Sequence, residues 1–168
     1  MRTIQHFILG IGCTLLATMA CADLSVPMVS LTKPTEGKVL GYIQISETQY
    51  GLLFTPHLHD LQPGLHGFHI HEHPSCGSHG MAAGGHLDPA KTNQHRGPYD
   101  DAGHLGDLPV LYVGEDGTAH TPVLAPRLRQ LKDIQQHALM IHAGGDNYAD
   151  VPNALGGGGE RMECGVIQ

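Results

Sequence analysis

Positive charge is scarce in this chain. Nine lysines and arginines face sixteen aspartates and glutamates, with the fourteen histidines counted neutral. That balance argues against nucleic acid or an anionic membrane surface as a partner. Long apolar runs are also missing. The charge-free run from Phe7 to Ala20 falls short of the ~20 residues that a membrane-spanning helix needs. There is no internal repeat and no low-complexity linker. No Ser-His-Asp or phosphate-loop signature is present either. The glycine run Gly156–Gly159 lacks a following Gly-Lys-Ser/Thr and precedes a predicted strand, so it makes a poor phosphate cradle.

The apolar run has a different use. Arg2 gives a positive start, Phe7 to Ala20 an apolar middle, and Ala20-Cys21-Ala22 a small-x-small pattern before Asp23. This predicts a secretory signal peptide over residues 1–22 and a mature domain over 23–168. Lipidation of Cys21 is an alternative, although Thr18 fits the usual lipobox poorly. The mature chain of 146 residues is long enough for one domain with a core, and its net charge is −8. Cysteine is sparse as well. Cys13 and Cys21 leave with the signal, so Cys76 and Cys164 remain. In an oxidising compartment an isolated pair reads as one disulfide, and a copper-thiolate pair is the rival.

Apolar periodicity is mostly two, the mark of strands. The pattern predicts strands at 24–31, 38–47, 51–55, 65–71, 110–113, 118–124, 137–142 and 161–167. Turn signals such as Pro63-Gly64 and Asp116-Gly117 separate them. Leu128, Leu131 and Ile134 are spaced by three and predict a short helical turn. From His71 to Leu108 the chain is rich in Gly, Pro and His and poor in strand signal. A loop that long in a compact domain is usually functional or disordered. The class is all-β, a sandwich or barrel.

Histidine is what this chain has in excess. In Gly67-Phe68-His69-Ile70-His71 the two imidazoles share one strand face, while Phe68 and Ile70 face the core. Imidazole suits copper and zinc. Further histidines follow among glycines or beside aspartate: His86 in Gly85-His86-Leu87-Asp88, His95, His104 in His104-Leu105-Gly106-Asp107, and His142 before Gly144-Gly145-Asp146. His104 and Asp107, three apart in a loop, can chelate one ion. His142 has to approach His69 and His71 from another strand.

Gly-Phe-His-Ile-His-Glu, His-Leu-Gly-Asp and the tail Gly-Gly-Gly-Gly-Glu-Arg-Met-Glu-Cys-Gly-Val-Ile occur in one order. From about Leu65 to its C-terminus the chain therefore resembles the copper/zinc superoxide dismutases, most closely their secreted bacterial branch. The resemblance implies a flattened eight-stranded Greek-key β-barrel, sandwich-like, with long metal-binding and active-site loops. It implies copper on His69, His71, His86 and His142, and zinc on His86, His95, His104 and Asp107, with His86 shared. A bridging imidazolate lends one nitrogen to each metal. Three histidines and an aspartate suit tetrahedral zinc.

The resemblance also implies that Asp146 links a copper histidine to a zinc histidine, that Arg161 steers and holds the anionic substrate superoxide, and that His86 donates a proton. The alternative for Asp146 is an ordinary turn aspartate before Asn147, and without the tail motif Arg161 reads as a strand arginine paired with Glu160 or Glu163. His66 resembles a structural histidine of the family. His57, His59, His73 and His79 are candidates for extra metal binding. The interval from His86 to His95 is one residue longer than in typical eukaryotic members. The implied location is the periplasm. The family includes dimers and monomers, so a homodimer stays open. The rival from another class is a copper/zinc carrier on the same fold.

Overall fold

A computed structural model describes residues 23–168. The expected signal peptide, with Cys13 and Cys21, lies outside the described residues.

Nine strands alternate with turns: β1 Asp23–Ser30, β2 Val39–Thr48, β3 Gly51–Leu58, β4 Gly64–His66, β5 Phe68–His71, β6 Leu111–Val113, β7 Val123–Ala125, β8 His137–His142 and β9 Arg161–Ile167. The bounds of β8 and β9 are those the periodicity predicts. β3 runs past its expected end through Pro56. It pairs with β7 only over Leu52–Phe54, so the missing N–H of Pro56 falls beyond that ladder. The strand expected over 118–124 shrinks to β7, preceded by a single bridge from Ala119 to Leu58. The expected helical turn is a 3₁₀ turn at Leu131–Asp133, with Leu128, Leu131 and Ile134 all buried. Glu47 caps it by accepting from the Leu131 amide at 2.7 Å.

The strand expected over 65–71 divides at Gly67. β4 pairs with β6, and β5 pairs with β8. One predicted strand thus changes sheets, which turns the expected eight strands into nine among the described residues. Sheet order is β5-β8-β9-β1-β2-β3-β7, all antiparallel, with β4-β6 apart. This curled sheet is a Greek-key β-barrel. Its core is mainly aliphatic, with Met28, Ile43, Ile45 and Leu52 fully buried around an edge-to-face pair of Phe54 and Phe68 at 5.8 Å.

The barrel places β5 at an edge, and the long loop covers that edge. Isolated bridges join His69 to Asp107 and His71 to His86. Between His71 and Leu108 the one helical element is a 3₁₀ turn at Met81–Ala83. A disulfide from Cys76 to Cys164 ties this loop to β9. A small second core of Leu31, Ala83, Ala138, Met140 and Cys164 lies beneath it.

Candidate metal centre

Strand alternation decides where the first two histidines point. Phe68 and Ile70 enter the core, and His69 and His71 take the other face, all four fully buried. His142, at the end of β8, reaches the same face from the neighbouring strand. His86 and Asp107 arrive on the loop segments that bridge to β5. Among the described residues two groups of four bring their donor atoms within 4.8 Å of one another. One is His69, His71, His86 and His142; the other is His69, His86, His95 and Asp107. The first is the expected copper set. The second holds three of the four expected zinc residues, with His69 in place of His104. His104 stands close by, its Nδ1 3.4 Å from Asp107 Oδ1.

Four of the rings have one nitrogen tied by a hydrogen bond that fixes the tautomer. His71 Nδ1 donates to the Gly84 carbonyl at 3.0 Å, and His142 Nδ1 to the Gly159 carbonyl at 3.2 Å. His69 Nε2 and His95 Nε2 donate to the two oxygens of Asp146, at 2.8 and 2.7 Å. The nitrogen left on each ring carries a lone pair and faces inward. His71 Nε2 and His142 Nε2 are 3.4 Å apart, two acceptors with no proton to place between them. The buried Nδ1 of His69 has no hydrogen-bond partner, and those of His95 and His104 face only Asp107, 3.0 and 3.4 Å away. Buried lone pairs converging without donors are what a cation satisfies, so the residues fit metal ions.

Electrostatics agrees. Burial holds the rings neutral, the ligating form. It lowers His69 to about 3, His71 to about 2 and His142 to about 4, and it lowers His86 too. His95 is the exception. Burial pulls it down, yet its bonds to Asp107 and Asp146 raise it to about 9. For Asp107 and Asp146 burial opposes ionisation, but the surrounding imidazole donors win and both are held well below the usual carboxylate range.

Asp146 is therefore no ordinary turn aspartate. Its carboxylate is inaccessible to solvent and ties β5 to the loop of His95. Gly156 makes room for this link. Its φ is +71°, and a Cβ there would collide with Asp146 Oδ1 and His95 Nε2. His66 is a brace, with Nδ1 2.7 Å from the His142 carbonyl oxygen and Nε2 2.8 Å from that of Gln62.

Arg161 lies on a cleft of about 730 Å³ that His71, His86 and His142 also line. Its guanidinium donates to the carbonyls of Gly80 at 2.5 Å and Gly84 at 2.7 Å. No ion pair between Arg161 and Glu160 or Glu163 forms among the described residues, so the surface-pair reading falls. Of the other histidines, His57 stacks on Tyr42 at 4.7 Å and His59 meets Asp60 at 3.2 Å, away from both groups. His79 lines the cleft.

Sequence reasoning missed the residues that hold the loops. Arg127 donates to the carbonyls of Gly103 and His104, at 2.9 and 2.8 Å. Asp150 accepts from the His95 amide at 2.9 Å. Neither carries a local signal, because each acts through backbone far away in the chain.

Residues 39–167 match the family described as copper/zinc superoxide dismutase. The chain is 54% identical over 154 residues to the "Superoxide dismutase [Cu-Zn]" of Photobacterium leiognathi, covering 87% of each. It is 52% identical over 158 residues to that of Haemophilus ducreyi, covering 89% of this chain and 79% of that protein. Two solved structures are similar. The Cu/Zn superoxide dismutase from Brucella abortus is 46% identical with a TM-score of 0.82. The monomeric copper, zinc superoxide dismutase from Salmonella enterica is 52% identical with a TM-score of 0.76. Each covers 88% of this chain and all of the other.

Proposed function

We infer the role of each site residue from the premise that this chain belongs to the copper/zinc superoxide dismutase family. The protein is a superoxide dismutase, an oxidoreductase whose cofactors are copper and zinc. Two superoxide ions and two protons give oxygen and hydrogen peroxide. Bound copper supplies the one-electron chemistry, and zinc supplies a fixed positive charge.

The finer assignments are our reading. His69 through Nδ1, and His71 and His142 through Nε2, hold copper together with His86. His86, His95, His104 and Asp107 hold zinc. The tautomers support this: in His69, His71 and His142 the nitrogen assigned to metal is the one that no protein oxygen uses, and His95 Nδ1 faces Asp107, its partner in the zinc set. His69 and His86 belong to both groups of donors; Asp146 takes one nitrogen of His69, which leaves His86 as the residue to bridge them. Its Nδ1 faces Asp107 at 2.9 Å, which leaves Nε2 for the copper side and for holding the proton that product formation consumes. Asp146 orients His69 and His95. Arg161 holds the anionic substrate above His71 and His142, and the cleft admits it.

We also propose that residues 1–22 are a cleaved secretory signal and that the mature domain, 23–168, works in the periplasm. The Cys76–Cys164 disulfide, at home in an oxidising compartment, supports that location.

The single observation that carries the site assignment is the convergence of buried histidine and aspartate donor atoms in two overlapping groups of four. The test is elemental analysis of the purified mature protein beside a superoxide-decay assay. We expect copper and zinc in near-equal amounts with activity. Zinc alone, with copper supplied in excess, would overturn it.

A further inference from the structure

We propose that His79 and Met81 form a capture site for monovalent copper at the mouth of the cleft that leads to His71, His86 and His142. The proposal deepens the reading above and rests on those three histidines as copper ligands.

Both residues line the cleft. They flank Gly80, in the turn that holds Arg161. Met81 is 66% exposed, an unbranched thioether presented to solvent where an apolar side chain gains nothing by burial. Thioether sulfur is a soft ligand that selects Cu(I), and imidazole is its common companion. His79 is set up to ligate. Its Nδ1 donates to the Leu31 carbonyl at 3.2 Å, with Glu36 Oε1 3.6 Å away. The proton is thereby fixed on Nδ1, and the lone pair of Nε2 is left free.

The turn is not a loose surface loop. Ser78, His79 and Gly80 take φ of +53°, +51° and +80°, a left-handed run that costs non-glycine residues and persists only where its surroundings enforce it. Enforcement is visible. A Cβ on Gly80 would meet Leu31 at 2.8 Å and Arg161 at 3.1 Å, so the turn lies tight against β9 and the end of β1. Lys33, Glu160 and Arg161 also line the cleft, so the softness of the donors and not net charge selects the ion. A sulfur and a nitrogen donor stand at the rim, and three nitrogen donors stand on the floor. Copper held at the rim transfers as Cu(I) to the floor, with no change of oxidation state and no further reactant.

Two measurements test this. Silver(I), a redox-silent stand-in for Cu(I), is added to the reduced, copper- and zinc-loaded protein, whose main sites are then filled. One equivalent should shift the Met81 methyl resonance, and His79→Asn should weaken the response. Asparagine tolerates the left-handed backbone, so the turn is kept. Then Cu(I) is supplied from a weak chelate to zinc-loaded, copper-depleted protein. Met81→Leu and His79→Asn should each slow loading by about fivefold or more, because a rim-held ion faces the floor at roughly millimolar effective concentration. The final copper content should equal that of the wild type. A Met81 methyl unmoved by silver, or variants that load at the wild-type rate, overturns the proposal. Failure of the ligand reading looks different: wild-type protein would take up no copper at the floor while silver still shifted Met81.

Discussion

His71 and Arg161 share one acceptor. The Gly84 carbonyl takes a hydrogen bond from His71 Nδ1 at 3.0 Å and from Arg161 Nη2 at 2.7 Å. The residue proposed to bind copper and the residue proposed to hold its substrate are thus set against the same backbone oxygen. Movement of the turn around Gly84 displaces both together.

Arg161→Ala is expected to slow superoxide removal while both metals stay bound. Losing one charge-assisted contact, about 1.5–3 kcal/mol, corresponds to roughly tenfold or more in rate. The wild-type rate should fall as salt rises, and the variant should respond less. Glu160→Gln and Glu163→Gln should keep full activity. Full activity and unchanged salt dependence in Arg161→Ala would make it an ordinary strand residue.

Asp146→Ala is expected to weaken metal retention by about 10–100-fold, the usual effect of losing an orienting partner. Competition with a graded chelator reads this directly. Asp146→Asn keeps the size but offers one acceptor oxygen to two imidazole donors, so it should fall between. Equal retention in all three proteins would show that His69 and His95 need no such link.

Glu163 predicts a pH effect on stability. Burial raises its carboxyl from 4.5 to about 7. A raised carboxyl pKa means the folded state favours the proton, so its stabilisation is full below pH 4.5 and is lost as pH rises through 7. The loss is at most about 3 kcal/mol. Glu163→Gln should therefore unfold at higher denaturant than wild type at pH 8 and at the same denaturant near pH 4.5. A gap that does not vary with pH would contradict the burial argument.

Reduction of Cys76–Cys164 should lower stability, and activity should be lost before the chain unfolds. The bond closes a loop of 88 residues, for which chain entropy gives about 4–5 kcal/mol. Non-reduced peptide mapping should show the link in native protein. On mild reduction the turn carrying Gly80 and Gly84 loses its tie to β9, so activity should decline before global unfolding. Coincident loss of both would mean that the turn holds itself.

Most of the strand pattern was legible because antiparallel strands with one buried face alternate in sequence. His69 and His71 were legible for the same reason: their spacing of two fixes a shared face. The ligand loops were readable as histidines beside glycine and aspartate, and the family resemblance ordered them. The sheet change at Gly67 was not legible, since the pattern runs through it without a break. Neither were the carbonyls of Gly80 and Gly84 as seats for Arg161. A backbone oxygen has no residue identity, and its use depends on where a distant turn comes to rest. Arg127 and Asp150 were hidden for that reason too. Glu163 read as a surface partner of Arg161 because charge usually lies outside, and only the packed β9 shows it buried.

The pairing of β5 with β8 has a consequence for time. It brings together His71 and His142, 71 positions apart, and His69 and Asp146, 77 positions apart. Such contacts form only after long loops close, which places chains of this topology among the slow folders, on the order of milliseconds to seconds. The cluster of donors does not exist until that closure is complete, so bound ions have nothing to grip in an early folding state. Interactions made after the barrier slow escape from the native state and leave its formation unhurried. Metal bound after that barrier would therefore lengthen the life of the folded molecule more than it would speed folding.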